Sequence, residues 1–262
     1  MDHASAPAVD SVGPEQGARR REIEGIYPLS PLQQGLLFHR LYEPDSEMYF
    51  EQLSVDLRQL DVEAFEAAWR YVIDRHAALR SAIIWEEVPR PLQIVHRSVD
   101  FRLERHDWRQ LSPELALARL DTFLRQDRLR GFDLEQAPLM RVSLIDLPGG
   151  RYCFTWGFHH IIMDGWSLAI VMGEVVRAYE TLCRGQRPRF GHVPRYENFI
   201  AWLNCQNTSQ AEAYWRNYLH GFTAPTLLGL RNAALYFLSV ALSRSESWRV
   251  NSRYASRNSG GG

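Results

Sequence analysis

From Ile26 onward apolar and polar positions alternate with a regularity that the first residues lack. Pro28 and Pro31 bracket a start, after which Leu32, Leu36, Leu37 and Leu41 recur at helical spacing. The segment Asp61–Ile83 predicts an amphipathic helix capped by Asp61, with Val62, Phe65, Trp69, Val72, Ile73 and Leu79 on one face. His76 falls near the middle of that face and Arg80 about 40° from it, at roughly 100° per residue. A guanidinium there needs a partner, because burying it bare is costly; the alternative is a helix end at which both side chains reach solvent. A second helix is predicted over Pro113–Arg130, with Leu117, Leu120, Phe123 and Leu124 inward and Gly131 as C-cap.

The period then changes from helical to alternating. Met140–Leu147, the turn Pro148-Gly149-Gly150 and Arg151–Phe158 read as a hairpin, its second arm alternating Tyr152, Phe154, Trp156 and Phe158 with smaller residues. Trp166–Leu182 reads as a further helix with Leu168, Val171, Met172, Val175 and Tyr179 inward and Ser167 as candidate cap. Residues 1–22, rich in Ala, Pro, Gly and charge, read as a flexible leader. Residues 231–262 lose all periodicity after Ala233–Leu242 and end in three glycines. They are expected to form a poorly ordered tail, with out-of-frame coding as its suggested origin.

Composition narrows the function classes. The 262 residues are 45% hydrophobic and carry 30 basic and 31 acidic side chains. That content supports a folded core, and that balance offers nothing to nucleic acid or an anionic membrane surface. Cys153, Cys183 and Cys205 are scattered, which argues against a disulfide framework and for a cytoplasmic location. No apolar run is long enough to span a bilayer, and the N-terminus lacks the apolar stretch of a signal peptide.

The string most charged with chemistry is His159-His160-Ile161-Ile162-Met163-Asp164-Gly165, between an aromatic strand and a helix. Adjacent side chains on an extended backbone point to opposite sides, so one histidine can face a cleft while the other packs inward. Asp164 can return to the turn or accept a charged hydrogen bond. Gly165 suits a positive φ or the close approach of a ligand. Ordinary core or surface histidines are one alternative. A zinc site is disfavoured by the opposed histidines and the missing further ligand, and a nucleophilic triad by the absence of a GxSxG elbow.

The string HHIIMDGWS resembles the HHxxxDG signature of the condensation domains of nonribosomal peptide synthetases, a branch of the chloramphenicol acetyltransferase-like superfamily. Four other segments strengthen the resemblance: SPLQQGLLFHRL (30–41), RHAALRSAI (75–83), GFDLEQAPL (131–139) and YENFIAW (196–202). It implies an α+β fold, a two-layer α/β sandwich, with a first lobe over 23–185 and the opening of a second, truncated lobe over 186–230. It implies amide-bond formation between carrier-bound acyl groups, in antibiotic and other secondary-metabolite biosynthesis. His160 would be catalytic, with His159, Asp164, Gly165, Arg75 and Arg80 in support. Asp164 would pair with Arg75 by family pattern, or with Arg80 by the helical wheel, and Gly165 would keep a pantetheine tunnel open.

No metal or directly bound cofactor is implied; phosphopantetheine arms would come with donor and acceptor peptidyl carrier domains, and neither nucleic acid nor membrane is an expected partner. The family's fifth motif has no counterpart here, so the chain by itself is expected to have little activity. Two other readings are a free-standing acyl-CoA-dependent acyltransferase with its site between subunits, and an inactive fragment.

Overall fold

The computed structural model describes residues 22–44 and 46–224 and the backbone of residues 248–250. The expected leader, except Glu22, and most of the expected tail therefore lie outside the described residues. The elements are β1 (Ile23–Pro28), α1 (Pro31–Tyr42), β2 (Phe50–Arg58), α2 (Val62–Arg75), β3 (Ser81–Ile84), β4 (Leu92–His96), β5 (Glu104–Asp107), α3 (Pro113–Arg130), β6 (Met140–Leu147), β7 (Arg151–His159), α4 (Gly165–Cys183), α5 (Tyr196–Asn204), α6 (Thr208–Tyr218) and β8 (Trp248–Val250).

Helix starts follow local chemistry. Ser30 and Gln33 close a reciprocal capping box on α1, while Asp61 and Ser112 accept from Ala64 N–H and Leu115 N–H at the heads of α2 and α3. Gly131 ends α3 at φ 57°, a backbone that favours glycine.

The strands form two sheets: β1-β4-β3, all antiparallel, and β5-β6-β7-β2-β8, in which only β5 and β6 run parallel. The β6–β7 hairpin turns where predicted, with both turn glycines at positive φ. One face of the larger sheet carries the main core. There Trp69 meets Trp156 with ring centroids 4.9 Å apart, and Phe65 meets Phe154 edge-on at 5.3 Å. A smaller cluster on α3 (Ala116, Leu120, Leu124) covers Ile145, Leu147 and Cys153 on β6 and β7. Helices thus pack on both faces of β7, which explains why Cys153 to Phe158 are all buried and not alternately so. The mixed α+β class is as expected.

Three sequence expectations change. The helix predicted over 61–83 ends at Arg75: His76 is extended, Ala77–Arg80 forms a 3₁₀ turn and Ile83 lies in β3. The apolar spacing continues through that turn, so the wheel overran it. Leu117 is exposed, because the stripe facing the sheet runs through Ala116, Leu120 and Leu124. Ser167 is not the cap of α4; Asp164 is.

Register places the site. Phe50 pairs with His159 across β2 and β7. Tyr49, just before β2, has φ 67°, and its carbonyl accepts from His160 N–H at 2.8 Å. A left-handed backbone at a bulky residue is costly, and here it turns a carbonyl onto the residue that follows β7.

Candidate active site

His159 ends β7 and His160 begins the turn that leads into α4, so their side chains part. His159 is buried. Its Nδ1 accepts from Ile161 N–H at 3.1 Å, which puts the ring hydrogen on Nε2; that atom is buried and has no partner among the described residues. Burial, then the charges of Arg40 and His160, push the imidazole down to about 4. His159 is thus a neutral structural group.

This has a consequence for pH. The folded value lies below the ordinary 6.5, so the unfolded chain binds the extra proton between the two, and stability falls as pH drops through that window. At about 1.4 kcal/mol per unit the contribution is on the order of 3 kcal/mol. Urea unfolding of the wild type and His159→Asn, which keeps an acceptor and does not titrate, is expected to give a shallower pH slope for the variant between about 6.5 and about 4.

His160 is half-buried. Its Nδ1 lies 2.9 Å from the Met163 carbonyl. A carbonyl only accepts, so Nδ1 carries the hydrogen and Nε2 of the neutral ring is left as a bare acceptor. The turn itself supplies this bond, closing from residue 160 to residue 163.

Asp164 caps α4, accepting from Ser167 N–H at 2.8 Å and from Ser167 Oγ–H at 2.7 Å. Those two bonds hold its carboxyl below the usual carboxylate range. Asp164→Ala is expected to cost about 1 kcal/mol of unfolding free energy, and Asp164→Asn much less, since the amide keeps the capping acceptor; thermal unfolding of both variants checks this. Gly165 is the first helical residue and not a positive-φ turn. A Cβ added there would meet nothing within 4 Å, so the space beside it is open.

Neither arginine nominated for Asp164 reaches it. Arg75 Nε donates to Glu174 Oε2 at 2.9 Å, and Arg75 Nη2 to the Gly191 carbonyl. His76 Nε2 sits 2.7 Å from the same Glu174 oxygen. Glu174 is ten residues beyond Asp164, about 15 Å along the helix. Burial works to raise its carboxyl, but the His76 and Arg75 hydrogen bonds prevail and hold it below the ordinary range. Arg80 is buried, as the wheel placed it, and donates to the Ile73 carbonyl at 3.2 Å, to Glu24 at 2.8 Å and to the His96 carbonyl. The Arg75-His76 segment therefore locks α2 to the middle of α4, while Arg80 locks it to β1 and β4.

Sequence reasoning missed two residues. Glu174 lies on the buried stripe of α4 between Val171 and Ala178, and a carboxylate on an apolar face is a signal in itself. Gln33, buried on α1, donates from Nε2 to the Ile161 carbonyl at 3.0 Å and to Gln93 Oε1 at 2.8 Å. Its position three residues after Ser30 is the spacing of a capping box, a signal for a helix start, but nothing in the sequence points to the loop 128 residues away.

Among the described residues no group of three or more His, Cys, Asp or Glu side chains could hold a metal ion, and no helix is long and apolar enough to cross a membrane.

Comparison with known proteins bears on the chain as a whole. The family described as Condensation domain matches residues 23–236. One of the linear gramicidin synthase proteins of Brevibacillus parabrevis is 45% identical over 210 residues, which are 80% of this chain and 4% of that protein. Bacitracin synthase 3 of Bacillus licheniformis is 37% identical over 203 residues, 77% of this chain and 3% of that one. Among solved structures, the starter condensation domain of the rhizomide synthetase RzmA superposes with a TM-score of 0.66 at 24% identity, covering 77% of this chain and 50% of that chain. The first condensation domain of the calcium-dependent antibiotic synthetase gives 0.64 at 20% identity, covering 78% and 50%. The chain thus spans a small part of these synthetases and half of the solved chains.

Proposed function

The chain belongs to the condensation-domain family, and on that premise we propose that it carries the His160 side of a site joining a carrier-bound acyl or peptidyl thioester to the amine of a carrier-bound aminoacyl thioester. The observation that carries this reading is the bond from His160 Nδ1–H to the Met163 carbonyl, which leaves Nε2 as the acceptor. An α-amine with a pKa near 8 is largely protonated at neutral pH, and its neutral fraction is the nucleophile. Nε2 accepts a hydrogen bond from that neutral amine, orienting its lone pair toward the thioester carbonyl. As the C–N bond forms and the C–S bond breaks, the amine's proton passes to Nε2 and from there to the departing thiolate. The phosphopantetheine arms are parts of the substrates brought by carrier domains, and the open space beside Gly165 suits such an arm.

The test places residues 23–236 in exchange for the matching segment of the linear gramicidin synthase protein, the relative at 45% identity, and supplies two loaded carriers. Mass spectrometry is expected to find one amide per thiol released, the product resting on the acceptor carrier. A folded graft that yields no product overturns the reading. The 262-residue chain alone is expected to be far slower than the graft. His160 is only half-buried and Trp166, close after it in the chain, is 84% exposed, so water reaches the charges that develop there. A variant of the rhizomide synthetase starter domain is solved with C8-CoA, so acyl-CoA is tried as donor in a parallel arm. Turnover with acyl-CoA alone would favour the acyltransferase reading.

A further inference from the structure

Gln33 makes every hydrogen bond a carboxamide can make. Its Oε1 accepts from Ser30 N–H at 3.0 Å and from the Tyr196 hydroxyl at 3.3 Å. Its Nε2 donates to Gln93 Oε1 at 2.8 Å and to the Ile161 carbonyl at 3.0 Å. The orientation of the amide is fixed without ambiguity, because a backbone N–H only donates and a backbone carbonyl only accepts. Gln93, also buried, continues the chain from Nε2 to Ser81 Oγ at 2.8 Å, and Ser81 Oγ–H donates to the Ala77 carbonyl at 2.9 Å. One polar line thus runs from the histidine turn through α1 and β4 to the residue beside His76.

Ile161 is the first residue after His160. Its N–H is held by His159 Nδ1 and its carbonyl by Gln33, while His160 N–H is held by the Tyr49 carbonyl. Among the described residues, Gln33 and Tyr49 hydrogen-bond from outside the turn to the backbone of residues 160–163. The turn in turn sets where the Met163 carbonyl lies relative to His160 Nδ1.

We propose that Gln33 is a positioning residue for His160: by holding the Ile161 carbonyl it fixes the turn that keeps the ring hydrogen on Nδ1 and Nε2 bare. The inference rests on the functional reading above only for its catalytic meaning; the geometric claim stands on the network alone. No other side chain of similar shape serves. Glutamate in place of Gln33 keeps the acceptor for Ser30 and presents a carboxylate oxygen to two acceptors, while methionine fills the space and donates nothing.

The experiment reads the ¹⁵N resonances of the His160 ring in the full 262-residue chain, for wild type, Gln33→Glu, Gln33→Met and Tyr196→Phe. Tyr196→Phe removes a bond to the same glutamine but leaves Ile161 held, so it controls for general loosening. Both Gln33 variants are expected to convert the single Nδ1–H form into a mixture of tautomers, and Tyr196→Phe to leave it single. In the graft, the Gln33 variants are expected to lower kcat by about 10²-fold with KM changed less than about twofold, the cost of a small misplacement of a reacting group. An unchanged ring tautomer in whichever Gln33 variant folds overturns the proposal, and so does an equal change in Tyr196→Phe. If the tautomer shifts as expected but His160→Ala keeps full activity, the functional reading fails and the positioning role stands.

Discussion

Replacing His160 with alanine is expected to lower amide formation in the graft by about 10²–10⁴-fold, the range that a positioned general base supplies. The loss is not total, because two tethered substrates held together still react faster than free ones. On the proposed reading, what is lost is an acceptor whose direction is set by Nδ1–H donation to Met163. His160→Gln offers an acceptor without a base, and is expected to recover about tenfold at most. Single-turnover rates with preloaded carriers measure both variants, and an alanine variant within about threefold of wild type would remove His160 from the reaction.

The second large effect is structural. Glu174→Ala is expected to destabilise the chain by about 3–5 kcal/mol, as loss of one partner of a buried ion pair does. Its side chain is only 9% exposed and Arg75 only 16%, so removing the carboxylate leaves the guanidinium with its Gly191 carbonyl bond alone and takes the carboxylate from the His76 imidazole. Arg177, 3.9 Å from the other carboxylate oxygen, is exposed and keeps its water when the carboxylate is removed, so the cost falls on Arg75 and His76. Glu174→Gln retains an acceptor and is expected to cost less. Because the carboxyl is held below its ordinary range, the cluster's contribution is present above the ordinary carboxylate pKa and is lost as pH falls through the lowered value. Urea midpoints across that range test both statements, and a cost under about 1 kcal/mol would mean a solvent-screened pair.

The sequence carried the long helices and the hairpin, because their periods are set by burial on one face and their ends by caps such as Asp61 and Gly131. It carried the histidine turn too, since opposed side chains follow from extended backbone alone. What it lacked was long-range pairing. An isolated wheel shows that Arg80 needs a partner but not that Glu24 and two backbone carbonyls supply it. Arg75 was nominated for Asp164, yet the carboxylate that packs against the end of α2 is Glu174, and Asp164 is occupied by the head of its own helix. The 3₁₀ turn at Ala77–Arg80 was invisible because it keeps nearly the helical spacing for one more turn. Gln33 was hidden for the same reason as Glu174: its role lies in a contact across 128 residues.

The proposed chemistry requires that His160 present a bare Nε2. Long-range ¹H–¹⁵N correlation of its ring, in the wild-type 262-residue chain in mildly alkaline buffer, measures which nitrogen holds the hydrogen. A single neutral form with the hydrogen on Nδ1, bonded to Met163, is expected. A ring that carries its hydrogen on Nε2 would contradict it, because that nitrogen could then accept neither the amine's hydrogen bond nor its proton.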